Sequence, residues 1–274
     1  MRGLRLAACL VIAIGLAGCA LMPKPPETVL VAGATGRVGS AVRLALRDAG
    51  YEVRAMTRSA ARAAENHGTD WAWVEADVGD PAAIARAMAG ADFVISAIGA
   101  DQPDGPNGPE FVDFLGVRNL ATAARDAGIK HFVLVSSAAA GPYRKRSTMI
   151  EVGNVRYWKT QGELAVKSSG LDYTIIGPGG LLDEPAPGRG VRLLQRRDYD
   201  TGELAIETLA AIAVNALDNP DARNKTFAAI HDDAVADGAW RDMLPALPVD
   251  TETEEDYRRE SARDERAVFT PTSR

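Results

Sequence analysis

The chain has 274 residues, of which 46% are hydrophobic, and a formal net charge of −6 at pH 7. This length and apolar content support one large α/β domain with a full core. The acidic balance, with a sequence pI near 5.2, argues against a nucleic-acid backbone as a partner because no basic face outweighs it. A local basic cluster at residues 144–146 is interpreted as a solvated loop.

The first segment of the chain differs in composition from the rest. Arg2 and Arg5 precede an uncharged stretch, and Cys19 follows it. This pattern predicts that residues 1–18 are a signal peptide, which is removed and takes no part in the fold. The letters Leu-Ala-Gly-Cys ending at Cys19 resemble the lipobox of bacterial lipoproteins, which implies diacyl lipidation of that cysteine. An uncleaved membrane helix is the alternative, although the stretch falls short of the roughly 20 residues of a spanning helix.

A short proline-rich spacer, residues 19–27, comes next. A stiff spacer of this length keeps the domain near the bilayer, so we expect a lipid-anchored domain that faces the periplasm from the inner or outer membrane. A cytoplasmic location is the alternative if the first segment is not a signal peptide. Cys9 would be removed and Cys19 lipidated, which leaves no disulfide-forming pair.

An apolar strand from Val29 to Val31 opens the globular region and runs into three glycines at spacing G-x-x-G-x-x-G. Gly33 and Gly36 permit a tight turn and close approach of a ligand, and Gly39 lets the next helix lie close to its strand. The free N–H groups of that helix would bind a phosphate. The pattern therefore predicts a dinucleotide site, with a glycine-rich turn of any α/β protein as the alternative. Its predicted residues are Gly33, Thr35, Gly36, Arg37, Val38 and Gly39.

The second predicted strand, residues 51–58, bears on the choice of cofactor. An NAD site places an acidic residue about 20 residues beyond the glycines, where it binds the ribose 2′-hydroxyl. Arg58 stands in that region instead, and Arg37 is a second candidate for the same role. An arginine suits a 2′-phosphate, so NADP is favoured and NAD is the alternative. Arg58 as an ordinary solvated residue is the competing interpretation.

Strands and helices alternate through the rest of the chain. Further strands are predicted at residues 71–78, 92–99 and 131–135, the last of which delivers Ser137, and a helix is predicted over 111–127. This alternation predicts a Rossmann-type doubly wound parallel sheet with helices on both faces, spanning residues 28–250. Ligands bind such sheets beyond the carboxyl ends of the strands.

Four blocks in this order resemble the atypical short-chain dehydrogenase/reductase family, in its NAD(P)H-binding group near the NmrA-like proteins. They read Gly-Ala-Thr-Gly-Arg-Val-Gly, Asp-Val, Val-Leu-Val-Ser-Ser and Tyr-Thr-Ile-Ile-Gly-Pro-Gly-Gly-Leu, and the resemblance covers residues 28 to about 230. It implies that Asp77 and Val78 contact the adenine, that Gly99 lines the ribose side, and that Pro178 and Gly179 pack near the nicotinamide.

The resemblance also implies a catalytic set of a serine and a Tyr-x-x-x-Lys helix. Ser137 and Tyr157 match, but Gln161 occupies the lysine position and Gly177 replaces a usual arginine. Lys159 lies about 200° around the helix from Tyr157, so it does not simply replace the missing lysine. Glutamine can bond a ribose hydroxyl but adds no positive charge. Tyr157 as a half-buried packing aromatic is the alternative.

The last third of the chain carries weaker signals. Residues 183–200 are rich in proline, glycine and arginine, and they either line an acidic or phosphorylated substrate or form a solvated hairpin. A helix is predicted over 204–217 and a last strand over 225–230. Residues 251–274 are highly charged and are predicted to be a disordered tail.

These observations predict an oxidoreductase that binds NADP(H) and reduces a small carbonyl, quinone-like or flavin-like compound. No metal site is predicted. The alternative is a nucleotide-binding protein without turnover, structural or redox-sensing, tethered to the membrane, as the missing lysine would allow.

Overall fold

A computed structural model describes residues 26–143 and 153–259. The predicted signal peptide, Cys19 and the basic cluster at 144–146 lie outside these residues. Across the described ranges, no helix combines the length and the apolar character needed to cross a bilayer.

The core of the fold is an eight-stranded sheet in the order β3-β2-β1-β4-β5-β6-β10-β8. All neighbours pair in parallel except β8, which runs antiparallel to β10 at one edge. The prediction of a Rossmann-type parallel sheet is confirmed, because the order 3-2-1-4-5-6 is that of a doubly wound dinucleotide-binding fold. The strands are β1 (Thr28–Ala32), β2 (Glu52–Thr57), β3 (Ala72–Glu75), β4 (Phe93–Ser96), β5 (His131–Val135), β6 (Tyr173–Pro178), β8 (Val191–Gln195) and β10 (Lys225–His231).

Two further short strands, β7 (Gly180–Leu182) and β9 (Glu203–Ala205), pair in parallel as a separate small sheet. Helices connect the strands, and the last helix follows β10. They are α1 (Arg37–Asp48), α2 (Ala60–His67), α3 (Pro81–Met88), α4 (Val117–Ala127), α5 (Gly153–Lys167), α6 (Ile206–Asn215) and α7 (Trp240–Met243), with a π-helix (Glu110–Gly116) leading into α4.

Both faces of the sheet are covered, which explains why β1 is apolar without alternation. Val29 and Val31 join the core under α1 and α6, whereas Leu30 joins the core under α3 and α4. All three side chains are fully buried. The two hydrophobic cores therefore share the central strands, and the loops at the carboxyl ends of those strands are left to form a site.

One buried polar residue lies at the amino edge of the sheet. His131 begins β5, and its Nε2 lies 2.9 Å from Thr174 Oγ1 on β6. Burial lowers the pKa of His131 from 6.5 to about 4, so the ring is neutral at pH 7.

Two predictions for the last third of the chain need correction. Residues 183–200 are not a solvated hairpin throughout, because β8 pairs with β10 and its Val191 and Leu193 are buried. The tail is not disordered over its described part: residues 254–259 are helical, and the Tyr257 side chain is fully buried. High charge suggested disorder, but one well-placed aromatic residue anchors this segment to the domain.

Candidate cofactor-binding site

A crevice of about 580 Å³ opens beyond the carboxyl ends of β1 to β4. Its opposite wall is formed by the loop after β4 and by the π-helix with the start of α4. Seven residues predicted from the sequence line this crevice, which agrees with the expected position of a ligand on a parallel sheet. They are Gly33, Thr35, Gly36, Arg58, Asp77, Val78 and Gly99.

The glycine turn after β1 requires its glycines. Gly33 has a φ of +78°, and a Cβ there would lie 2.7 Å from the carbonyl oxygen of Ala97. A Cβ on Gly39 would overlap the carbonyl oxygen of Gly33, so Gly39 is what lets α1 approach the turn. Gly36 is the N-cap of α1, where no side chain caps the helix and no acidic residue occupies the first turn. The turn thus offers backbone N–H groups to an anion, which suits a pyrophosphate.

Arg43, a residue that the sequence analysis missed, braces this turn from behind. Its Nε donates a 2.8 Å hydrogen bond to the carbonyl oxygen of Ala34. Its guanidinium lies 4.5 Å and 4.7 Å from the ring centroids of Trp71 and Trp73. Burial, together with the nearby Arg47, lowers the pKa of Arg43. The pairing of a helix arginine with two tryptophans 28 and 30 positions later is a contact that only the tertiary fold creates.

Arg58 is the arginine that reaches the crevice. Its Nη1 donates to Asn107 Oδ1 at 2.7 Å, and its Nη2 lies 3.5 Å from Asp101 Oδ2, so the side chain spans from β2 to the opposite loop. Arg37, the second candidate, does not line the crevice. It forms an ion pair with Asp183 at 2.6 Å instead.

The loop after β3 forms the side of the crevice. Asp77 Oδ1 accepts a 2.7 Å hydrogen bond from the N–H of Gly79, and Asn119 Nδ2 donates to the carbonyl oxygen of Val78 at 2.9 Å. These bonds fix the loop without using the Val78 side chain. Phe111 faces this region from the π-helix and is 45% exposed. An apolar, half-open slot of this kind suits a flat ring such as adenine.

A buried ion pair lies beside Gly99, at the carboxyl end of β4. Lys159 Nζ on α5 contacts Asp113 Oδ1 on the π-helix at 2.7 Å, and the two side chains are 18% and 1% exposed. Asp113 Oδ2 also accepts a hydrogen bond from the N–H of Ala100 at 3.2 Å. A Cβ on Gly99 would lie 3.9 Å from Lys159 Nζ. Lys159 is therefore the α5 residue whose charge lies next to the crevice.

The position of Lys159 bears on the predicted catalytic helix. Tyr157 and Gln161 are each two residues from Lys159, so they lie roughly 160–200° around α5 from it and face away from Gly99. Neither lines the crevice. The Tyr157 ring packs edge-on against Trp158, with centroids 4.7 Å apart. Lys159 therefore does not lie beside Tyr157, as the helix geometry predicted, and its cation pairs with Asp113 instead.

The loop that follows β5, residues 136–143, is here called the β5 loop. Ser137 lies in it, and the Ser137 hydroxyl accepts a 3.3 Å hydrogen bond from the N–H of Ala139. Pro178 accepts a 2.9 Å hydrogen bond from the N–H of Ala138. Gly179 packs so closely that a Cβ there would overlap the carbonyl oxygen of Gly202. Pro178 and Gly179 therefore contact the β5 loop and the backbone of Gly202, and neither residue lines the crevice.

Arg196, one of the arginines suggested to bind substrate, is buried. It pairs with Glu163 Oε1 at 2.6 Å, and both side chains are at most 1% exposed. A Cβ on Gly177 would overlap the Arg196 guanidinium. Gly177 stands where the family pattern has an arginine. Its lack of a side chain leaves room for Arg196, which comes from a different segment of the chain.

Comparison with known proteins agrees with this geometry. A family model described as NAD(P)H-binding matches residues 33–220, which include every predicted residue of the crevice. The chain belongs to the NAD(P)H-binding family. Its sheet order and glycine turn are the features that a nicotinamide dinucleotide requires.

Two relatives and one solved structure show what this NAD(P)H-binding protein is similar to. Sanguinarine reductase of Eschscholzia californica is 31% identical over 240 residues, covering 73% of this chain and 87% of that protein. Protein TIC 62 of Arabidopsis thaliana is 33% identical, but the match covers 59% of this chain and only 28% of that protein's length. The structure of ChuY, described as an anaerobillin reductase from Escherichia coli O157:H7, has a TM-score of 0.65 at 26% identity and covers 76% and 98% of the two chains.

Proposed function

We propose that this protein is an oxidoreductase that uses NADP(H) to reduce a small conjugated compound, such as a carbonyl, quinone-like or flavin-like acceptor. The observation that carries this proposal is the crevice itself, which is lined by Gly36 at an uncapped helix N-terminus and by Arg58, with the Lys159–Asp113 pair beside its Gly99. A bound nicotinamide cofactor supplies a hydride. The residues of the chain bind and orient that cofactor.

The chain fits the cofactor in three places. The N–H groups at the start of α1 face the space that a pyrophosphate needs, because Gly36 presents no side chain there. Asp77 and Val78 shape the slot for the adenine. Lys159, held by Asp113 beside Gly99, would bond the hydroxyls of the second ribose.

Arg58 supports NADP over NAD. Its guanidinium is 58% exposed and reaches the crevice, where charge-assisted hydrogen bonds to a phosphate are stronger than its exposed contacts with Asn107 and Asp101. No carboxylate takes its place at the end of β2, where the segment reads Met56-Thr57-Arg58. The 2′-phosphate of NADP would neutralise this arginine, whereas the 2′-hydroxyl of NAD would not.

The residues around Lys159 favour acceptors that need no tyrosine as proton donor. Tyr157 is two residues from Lys159, so it lies roughly 160–200° around α5 and not on the face that carries Lys159. A conjugated iminium, quinone or flavin accepts a hydride without such a donor and then takes its proton from water. Sanguinarine reductase and the anaerobillin reductase are both named as reductases, which supports a reductive role for this chain.

The second candidate function is nucleotide binding without turnover. The positions of Tyr157 and Gln161, away from Gly99, favour it. The decisive experiment measures NADPH and NADH binding by fluorescence, together with NADPH oxidation over a panel of quinones, flavins, aldehydes and iminium compounds. Turnover with a conjugated acceptor supports the reductase. Tight NADPH binding with no oxidation across the panel supports the second candidate, and absence of binding refutes both.

Attachment to a membrane through lipidated Cys19 is a further part of the proposal. The described chain enters β1 at Thr28, on the amino edge of the sheet, and the crevice lies at the opposite, carboxyl edge. An anchor before Thr28 would therefore leave the crevice open to the aqueous side. Replacing Cys19 by Ser should abolish acyl labelling and leave an unprocessed precursor. Labelling that persists in this variant contradicts the anchor.

A further inference from the structure

The C-terminal segment, residues 250–259, is fixed to the domain by Asp250. Its Oδ1 accepts a 2.8 Å hydrogen bond from the N–H of Thr226, and its Oδ2 accepts one of 2.5 Å from the Thr226 hydroxyl. Tyr173 OH donates to Oδ2 at 3.0 Å, and Lys167 forms an ion pair with it. The Asp250 side chain is 9% exposed. The segment is thus joined to β6, β10 and α5 at its first residue.

Beyond Asp250, two side chains of the segment point toward the β5 loop. Glu252, 12% exposed, accepts a hydrogen bond from Arg197 at 3.3 Å. The guanidinium of Arg197 lies 5.9 Å from the centroid of the Tyr143 ring, at the end of the β5 loop. Burial and a hydrogen bond with Glu252 raise the pKa of the Tyr143 phenol. Tyr257 is fully buried, and its hydroxyl donates to Glu163 Oε2 at 3.3 Å.

Glu163 connects Tyr257 to the start and middle of the β5 loop. Its Oε1 accepts hydrogen bonds from the Ser136 hydroxyl at 2.5 Å and from Arg196 at 2.6 Å. Arg196 also donates to the carbonyl oxygen of Ala140 at 2.9 Å. The Glu163 carboxylate is fully buried, so each of these donors compensates for its lost hydration.

We infer that the segment 250–259 is a positioning element for the β5 loop, with Tyr257 and Glu252 as its positioning residues. Tyr257 holds the loop through Glu163, and Glu252 holds its far end through Tyr143. The inference rests on the proposed function in one respect, namely that the β5 loop, with Ser137, borders the substrate end of the crevice. The residues that bind the nucleotide do not depend on this segment, because Gly33, Gly36 and Arg58 have their own partners.

The test compares three full-length variants by hydrogen–deuterium exchange. Tyr257→Ala removes the buried ring, and Glu252→Gln removes the charge that faces Tyr143 and Arg197. Glu254→Gln is the matched control, since Glu254 lies in the same segment and pairs only with the exposed side chain of Arg258 among the contacts described. We expect exchange in residues 136–143 to rise about tenfold in the first two variants, because hydrogen bonds to a charged group hold the loop closed. Exchange in the glycine turn, residues 33–40, and throughout Glu254→Gln should match the wild type.

A functional readout separates positioning from mere stability. With the best acceptor from the panel above, Tyr257→Ala and Glu252→Gln should lower kcat or raise the acceptor KM at least fivefold, while the NADPH dissociation constant stays within twofold of wild type. Tyr257→Phe, which keeps the ring but removes the hydroxyl that bonds Glu163, should raise exchange in residues 136–143 in the same direction but by less than Tyr257→Ala. Because exchange needs no turnover, a protein that oxidises no acceptor would overturn the reductase proposal and leave the exchange result to decide this one.

Two results would overturn the inference. One is unchanged exchange in residues 136–143 in both Tyr257→Ala and Glu252→Gln. The other is an equal rise in every peptide, including residues 33–40, which would make the segment a source of global stability only.

Discussion

The crevice and the β5 loop both lie beyond the carboxyl ends of strands of the main sheet, but they are built in different ways. The crevice is formed by glycines and short turns. Gly33 and Gly39 allow close backbone contacts because they lack side chains, and Asp77 accepts a hydrogen bond from the backbone N–H two residues later. The β5 loop instead depends on Glu163 and Tyr257, which come from distant parts of the chain. A site made from local backbone can be recognised in a short motif, whereas a site made from buried long-range contacts cannot.

The largest expected effect comes from a change in the glycine turn, which belongs to the region built from local backbone. Gly36→Val places a branched side chain at the N-terminus of α1, in the space for the pyrophosphate, and removes access to its N–H groups. Losing two charge-assisted hydrogen bonds of about 1.5 to 3 kcal/mol each should weaken NADPH binding roughly 10²- to 10⁴-fold. Fluorescence titration measures this, with exposed Leu44→Ala on the same helix as control. NADPH affinity close to wild type in Gly36→Val would move the site elsewhere.

The next largest effect concerns Lys159, whose ion pair with Asp113 is a long-range contact beside the crevice. Lys159→Met leaves the Asp113 carboxylate buried without its cation, which should lower the free energy of unfolding by about 3 kcal/mol. The double variant Lys159→Met/Asp113→Asn removes both charges and should regain most of this stability. Its turnover should stay at least tenfold below wild type if Lys159 acts on the cofactor. Urea denaturation and kcat together measure the two roles, and a double variant with wild-type turnover would make the pair purely structural.

Acid should lower the free energy of unfolding through His131 in the main sheet. Because both the crevice and the β5 loop are built on this sheet, the effect should not distinguish the two regions. The unfolded chain protonates His131 near pH 6.5, but the folded chain does so only near pH 4. The neutral ring therefore contributes stability above pH 6.5 that is lost as pH falls toward 4, by roughly 3 kcal/mol. Urea denaturation at pH 7 and pH 4.5 should show a smaller loss for His131→Gln than for wild type. Identical pH dependence in the two proteins would contradict this assignment.

The smallest expected effect tests cofactor choice at the crevice. Arg58→Ala removes a charge-assisted contact with the 2′-phosphate, so NADPH binding should weaken about tenfold while NADH binding changes little. Titration of both cofactors gives the ratio directly. Equal losses for NADPH and NADH would show that Arg58 does not recognise the phosphate.

The sequence was sufficient for the sheet and for the crevice because both follow local rules. The apolar run of β1, the glycine spacing and the residues after β3 each act within a few positions of one another. The contact between Lys159 and Asp113 was missed because the two residues are 46 positions apart and because it depends on which face of α5 meets the π-helix. Tyr257 was missed for a similar reason: a charged segment indicates disorder unless the buried partner of its one aromatic residue is known.

The central claim is that a nicotinamide dinucleotide binds in the crevice at the carboxyl ends of β1 to β4. Hydrogen–deuterium exchange of the wild-type protein with and without NADPH tests it most directly. We predict that NADPH slows exchange in residues 33–40, 57–59, 77–79 and 97–100, and that Gly36→Val abolishes this protection. Protection confined to other parts of the chain, or none at saturating NADPH, would contradict the account.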